Sequence, residues 1–172
     1  MYIKEMAKQN QKHEKYIILL LRLQCGIFRG YLKLTEHFTL EEMVRSSAAS
    51  MRGIVNTPGA NEIANLRILC EKILEPARMK LGMPITVTSG YRSFRLNRVV
   101  GGAKGSLHLV GKAADITCSD NARLYEVLQK LLCFELITYR YKGPMLTGRI
   151  NRFHVSYNGV IGGSSRWFIK WI

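Results

Sequence analysis

A chain of 172 residues, 47% of them apolar and 22% charged, is long enough to bury one core and too apolar for wholesale disorder. Twenty-six Lys and Arg against 12 Asp and Glu leave a net charge of +14, which favours an anionic partner or surface. The basic residues are spread along the chain rather than gathered in a block, so no specific nucleic-acid partner is expected; no stretch approaches the roughly 20 apolar residues of a membrane span.

Lys4, Lys8, Lys12 and Lys15 precede the apolar run Tyr16-Ile17-Ile18-Leu19-Leu20-Leu21, which Arg22 interrupts. A basic start and a short apolar run suggest a secretory leader, but no small-residue cleavage site follows. Residues 1–33 are therefore an unassigned basic and apolar extension, with an amphipathic helix and an unstructured arm as the alternatives. From Leu34 the texture becomes that of a conventional domain. Thr39 with Glu42 three residues on makes a capping box at a helix start. Ile63, Leu66, Ile68, Leu69, Ile73 and Leu74 predict a helix from about Asn61 to Leu81, with Pro76 kinking it or starting a new segment and Gly82 ending it.

Shorter elements follow. Ile85-Thr86-Val87-Thr88-Ser89 is a β-branched strand stopped by Gly90, and Ala113 to Cys118 is a second strand. Asn121 to Leu132 is a helix capped by Ser119 or Asp120, with Leu124, Val127, Leu128, Leu131 and Leu132 inward. Glu135 to Tyr139 and Arg152 to Tyr157 are strands joined by a loop holding Gly143, Pro144 and Gly148. Helices first and strands later predict an α+β domain, a small antiparallel sheet flanked by helices. Cys25, Cys70, Cys118 and Cys133 form no CxxC pair, so free and mostly buried thiols are expected rather than a thiolate zinc site or a disulfide framework.

Two of the four histidines stand in patterned surroundings. His108 and Asp115 are separated by Leu109-Val110-Gly111-Lys112-Ala113-Ala114, where Gly111 permits a sharp turn and the alanines allow close approach. His154 shares a strand face with Ser156. Two imidazoles and a carboxylate are the donor set of a catalytic zinc, which keeps a further position open. A histidine is as readily a hydrogen-bonded packing residue, and composition alone does not bring these three together. His13 and His37 read as surface residues without ligand-like surroundings.

Ser106-Leu107-His108-Leu109-Val110-Gly111-Lys112-Ala113-Ala114-Asp115 fits the pattern SxHxxGxAxD. This segment resembles the zinc D-Ala-D-Ala carboxypeptidases and the related LD-carboxypeptidases and endopeptidases of cell-wall peptides. The resemblance extends to Val87-Thr88-Ser89-Gly90-Tyr91-Arg92-Ser93, to Asn97 and to Gly101-Gly102-Ala103. Upstream, Phe38-Thr39-Leu40-Glu41-Glu42 and Asn56-Thr57-Pro58 are similar to the opening of short bacterial and phage members; downstream, Phe153-His154-Val155-Ser156 is similar to the last ligand strand. It covers roughly residues 34–158, leaving 159–172 as a C-terminal tail.

The resemblance implies one zinc ion per chain, on the sheet, with His108, Asp115 and His154 as ligands. It implies Arg92 as the group that contacts substrate and steadies charge at the scissile carbonyl, and Ser106 as a substrate-holding residue. For Tyr91, Asn97, Gly101 and Gly102, packing and turn roles stand beside direct ones. The implied reaction is amide hydrolysis in a peptidoglycan stem peptide by a monomer, in wall remodelling or phage lysis. Localisation stays open between the cell envelope or periplasm and, for a phage-encoded protein, the cytoplasm until lysis. One departure matters. The glutamate that relatives carry three residues before the last histidine is Asn151 here, which cannot act as a base. Glu135 is the nearest candidate base and Asp120 a weaker one; the alternative is a zinc-containing module that binds wall peptides without cutting them.

Overall fold

The apolar stripe of the long helix is real, but it runs through a wide turn. In the computed structural model, which describes residues 32–131, 135–140, 150–157 and 167–171, α3 (Ala60–Leu69) passes into a π-helical turn, Cys70–Leu74, and then into α4 (Glu75–Leu81). Pro76 has no N–H for the carbonyl of Lys72, and its ring crowds that carbonyl. Widening the turn just before it, with Glu75 N–H reaching Cys70 O, relieves both without a sharp break. Ile63, Leu66, Leu69, Cys70, Ile73, Leu74, Ala77 and Leu81 are buried. Ile68 is not: it is 38% exposed, because the wheel places it beside the stripe rather than on it. Gly82, at φ +70°, ends α4 in the left-handed conformation that the sequence anticipates.

Ahead of this pair stand α1 (Leu40–Val44) and α2 (Ser47–Met51). Thr39 caps α1 as expected: Glu42 N–H donates to its Oγ1 at 3.3 Å, and Glu42 Oε2 accepts from Thr39 N–H at 3.0 Å. A helix of five residues depends on such bonds, since propagation alone cannot support it. Thr39→Ala is expected to lose about 1 kcal/mol, seen as a thermal midpoint lower by roughly 2–4 °C; an unchanged midpoint would show that packing of Leu40 and Met43 suffices.

The sheet has five strands in the order β1-β2-β4-β3-β5: β1 (Thr86–Ser89), β2 (Ala113–Thr117), β3 (Glu135–Arg140), β4 (Ile150–Ser156) and β5 (Trp167–Trp171). The first four pair antiparallel, as an α+β domain predicts, and β5 adds parallel to the outer side of β3. The helices α5 (Phe94–Val99) and α6 (Asn121–Gln129) complete the fold, α6 capped by Asp120. Strand alternation divides the sheet's two faces. Ala114, Ile116, Phe153 and Val155 join the core with Leu66, Leu124 and Leu128, and Phe153 stacks on Tyr125 with ring centroids 6.2 Å apart. Each large apolar side chain buried in this way contributes roughly 1.5–3 kcal/mol. Asp115, Arg152, His154 and Ser156 occupy the alternate positions and line a cleft.

Cys70 is a buried free thiol and Cys118 a partly exposed one; burial pushes the Cys70 thiol well above its ordinary range. The chain divides into residues 1–31 and 32–172. The first unit, with His13 and Cys25, lies outside the described residues, as do Cys133 and the loop 141–149. Among the described residues no helix is long and apolar enough to cross a membrane.

Candidate metal centre

The loop after β1 and the turn before β2 are built around each other. At the end of β1, Gly90 lies against α1 so closely that a Cβ there would collide with the Met43 backbone, and Tyr91 N–H donates to Met43 O at 2.7 Å. Asn56 fastens the same loop: its Nδ2 donates to Val44 O and Tyr91 O, and its Oδ1 accepts from Ser93 N–H at 2.7 Å. The motif residue Asn97 is 2% exposed and donates to Ala103 O at 2.9 Å, bracing the glycine loop at 101–105. Both asparagines hold loops, and Tyr91 packs against the core.

His108 sits on a 3-10 turn, Leu107–Val110, closed by Gly111 at φ +71°. A Cβ on Gly111 would lie 2.5 Å from Glu62 O, so conformation and close packing on α3 both require glycine. The imidazole Nδ1–H donates to Gly90 O at 2.6 Å. That bond fixes the neutral tautomer and leaves the Nε2 lone pair facing inward. Nε2 lies 3.2 Å from His154 Nδ1 and 3.5 Å from Asp115 Oδ1. Asp115 Oδ1 lies 2.8 Å from His154 Nδ1, because β2–β4 register sets Asp115 directly opposite His154.

Electrostatics suit the same three groups. Burial lowers the His108 pKa, so the imidazole is neutral at pH 7. Burial pulls the Asp115 carboxyl upward, but interaction with the neighbouring imidazoles, with a hydrogen bond at His154 Nδ1, outweighs it and holds the pKa well below the ordinary carboxylate range. Its second oxygen, Oδ2, accepts from Arg92 Nη2 at 2.7 Å, while Arg92 Nε donates to Ser89 Oγ at 2.8 Å. A tetrahedral ion with bonds of about 2.0–2.1 Å needs donors about 3.3 Å apart. The three observed separations, 2.8, 3.2 and 3.5 Å, bracket that value. Two imidazoles and a carboxylate with their ligand atoms this close together are a group that could hold a metal ion, and the donor types fit zinc.

The donors open on a cleft of about 800 Å³. Ser106, at the start of the 3-10 turn, lines it with Arg92. Glu135 is the first residue of β3, opposite Ser156 and two positions from the Ile137–His154 pair; its side chain lies outside the described residues. Asp120 is occupied as the α6 cap, accepting from Arg123 N–H at 3.0 Å, and is not a lining residue. Several lining residues, Ser46, Ser47 and Arg152 among them, carry no site role in the sequence analysis. Arg152 was legible through strand alternation, two positions before His154. His37 differs from expectation: it is a partly exposed residue whose Nδ1 lies 2.5 Å from Glu75 Oε1, and with Glu36 this makes a second group of possible donors.

An α+β sheet whose face gathers two imidazoles and a carboxylate at an open cleft has the make-up of a metallohydrolase. Residues 36–145 match the Peptidase M15 family, more than half of the chain. The chain belongs to this family, whose members are in general zinc-dependent metallopeptidases. The match contains Arg92, Ser106, His108 and Asp115 and ends before His154. Among curated proteins no match is found.

Proposed function

We propose that this chain hydrolyses an amide bond in a peptidoglycan stem peptide, as a D-Ala-D-Ala carboxypeptidase or endopeptidase, with one zinc ion held by His108 Nε2, Asp115 Oδ1 and His154 Nδ1. The observation that carries the reading is the convergence of those three atoms beside an open cleft. A zinc ion bound there supplies Lewis acidity that polarises a carbonyl and brings the pKa of water down to about 7. Arg92 orients Asp115 through the bond to Oδ2, and its guanidinium borders the cleft where negative charge develops on the scissile carbonyl. Ser106 positions substrate from the rim, and Glu135 is the proposed base. The net charge of +14 favours an anionic wall.

A second reading has one observation behind it: among the described lining residues Asp115 is the only carboxylate. A cleft without a base would bind zinc and wall peptide with little turnover. Elemental analysis of wild type and His108→Ala, beside hydrolysis of isolated wall peptides, separates the two. About one zinc per wild-type chain, lost in the variant, with zinc-dependent product release is the expected result. Zinc without hydrolysis would select the binding module, and no zinc under metal-replete conditions would remove both.

A further inference from the structure

The outward side of α5 carries a mixture of side chains that the peptidase reading does not use. Leu96 and Asn97 point into the protein, which turns Phe94, Arg95, Arg98 and Val99 to solvent. Those four form two i, i+4 pairs, so each pair sets a cation beside an apolar group on one helix face. Together they line a shallow depression of about 390 Å³, and the Arg98 guanidinium carbon lies 6.0 Å from the centroid of the Phe94 ring. Phe94 is 64% exposed, Val99 42% and Val100 44%. A single exposed apolar residue is ordinary, but an aromatic and two valines this close in the chain make a patch.

The charge around this patch has one sign. Residues 76–114 contain no Asp or Glu and include Arg92, Arg95, Arg98, Lys104 and Lys112. Among the described residues neither Arg95 nor Arg98 forms an ion pair. α5 rests through Leu96 on Ala49 and Ile54, and the exposed residues beside those, Met51, Arg52 and Val55, repeat the mixture of cation and apolar group. A soluble polyanion is satisfied by the arginines and gains little from valines. A second copy of the chain, or its own basic residues 1–31, would bring like charge to the face. An anionic lipid surface meets both parts, because apolar side chains enter the acyl boundary while guanidinium groups stay at the level of the phosphates.

We propose that the outer face of α5, led by Phe94, Arg95, Arg98 and Val99, docks on an anionic lipid surface. Val100, the residue after the helix, also lines the cleft, so docking brings the cleft's rim to the membrane. The inference goes beyond the peptidase reading and stands or falls whether or not the cleft cuts a peptide.

The probe is vesicles of equimolar phosphatidylglycerol and phosphatidylcholine, set against phosphatidylcholine alone and cosedimented with the full chain. Wild type is compared with Phe94→Ser, with Arg95→Gln/Arg98→Gln and with a control, Met79→Ser/Lys80→Gln. The control removes one exposed apolar group and one charge from α4, and residues 1–31 are the same in every chain. The wild type should prefer the anionic vesicles. Loss of both arginines should weaken that binding about 10- to 30-fold, since each basic residue near such a surface contributes about fivefold. Phe94→Ser should weaken it about 10-fold, and the control should bind as the wild type does. Thermal midpoints should not move, because every substituted side chain is exposed. No wild-type preference for anionic vesicles, or α5 variants that bind as well as wild type, would overturn the inference. A loss in the control as large as theirs would do the same by assigning binding to net charge. A loss with the arginines but none with Phe94→Ser would also overturn it and mark the face as a site for a soluble polyanion.

Discussion

Asp115→Asn is expected to weaken zinc retention by at least about a hundredfold, on the scale that distinguishes a lost ligand from a lost outer partner, and to lower apo stability as well. The side chain serves two neighbours: Oδ1 faces the histidine nitrogens at 2.8 and 3.5 Å, and Oδ2 accepts from Arg92 at 2.7 Å. An amide keeps the shape but loses the charge. If its oxygen faces the metal, its NH₂ opposes the Arg92 guanidinium, and the reverse flip turns NH₂ toward the metal. Arg92 and Asp115 side chains are 16% and 8% exposed, so the pair is mostly shielded from water. Removing one partner there costs about 3 kcal/mol, or roughly 6–12 °C in the thermal midpoint of a chain this size. Melts in a chelator isolate that part, and zinc titration gives the other, where a hundredfold in affinity corresponds to about 2.7 kcal/mol at excess zinc. An apo midpoint equal to wild type would show that Arg92 does not need the carboxylate.

Gly90→Ala should be strongly damaging although the residue is no ligand. A Cβ at that position collides with the Met43 backbone, which cannot rotate away as a side chain would. The strand end or α1 must move, and overpacking of this kind costs about 3 kcal/mol. Movement also shifts the carbonyl that receives His108 Nδ1–H at 2.6 Å, so zinc affinity should fall about 10- to 100-fold, as for other outer partners of a metal ligand. Urea unfolding in chelator measures the first effect and competition against a zinc indicator the second. Gly105→Ala is the control for stability, since a Cβ there meets open space; a comparable loss at both positions would remove the steric argument.

Much of this was legible because local chemistry specified it. The Thr39–Glu42 capping box, the Gly82 stop and the strand at Thr86–Ser89 each follow from residues within one turn or one strand, and the structure contains all three. His108 and Asp115 were readable as a pair because a turn glycine and two small residues separate them. The π turn was not readable: Pro76 announces a perturbation, but whether the helix kinks, restarts or widens depends on what Cys70, Ile73 and Leu74 pack against. Ile68 was misplaced because a count of apolar spacings admits a residue just off the buried stripe. His37 was read as solvent-facing because its partner, Glu75, lies 38 residues away. Arg152 shows a different gap, since alternation places it on the face of His154, yet only the assembled cleft shows that it lines the site.

The pairing of β2 with β4 runs from Ala113–Ser156 to Ile116–Phe153 without a bulge. Side chains on a strand alternate, so a slip of one residue would turn His154 into the core and bring Phe153 out to the cleft. Two of the three donors come from one short stretch of chain, while the third arrives only when a pairing across 39 residues closes in a single correct frame. Long-range pairings of this kind form late and slowly. On the proposed zinc site, a molecule paired in the wrong frame would present His108 and Asp115 without the third donor, so metal binding would favour the native register over the slipped one.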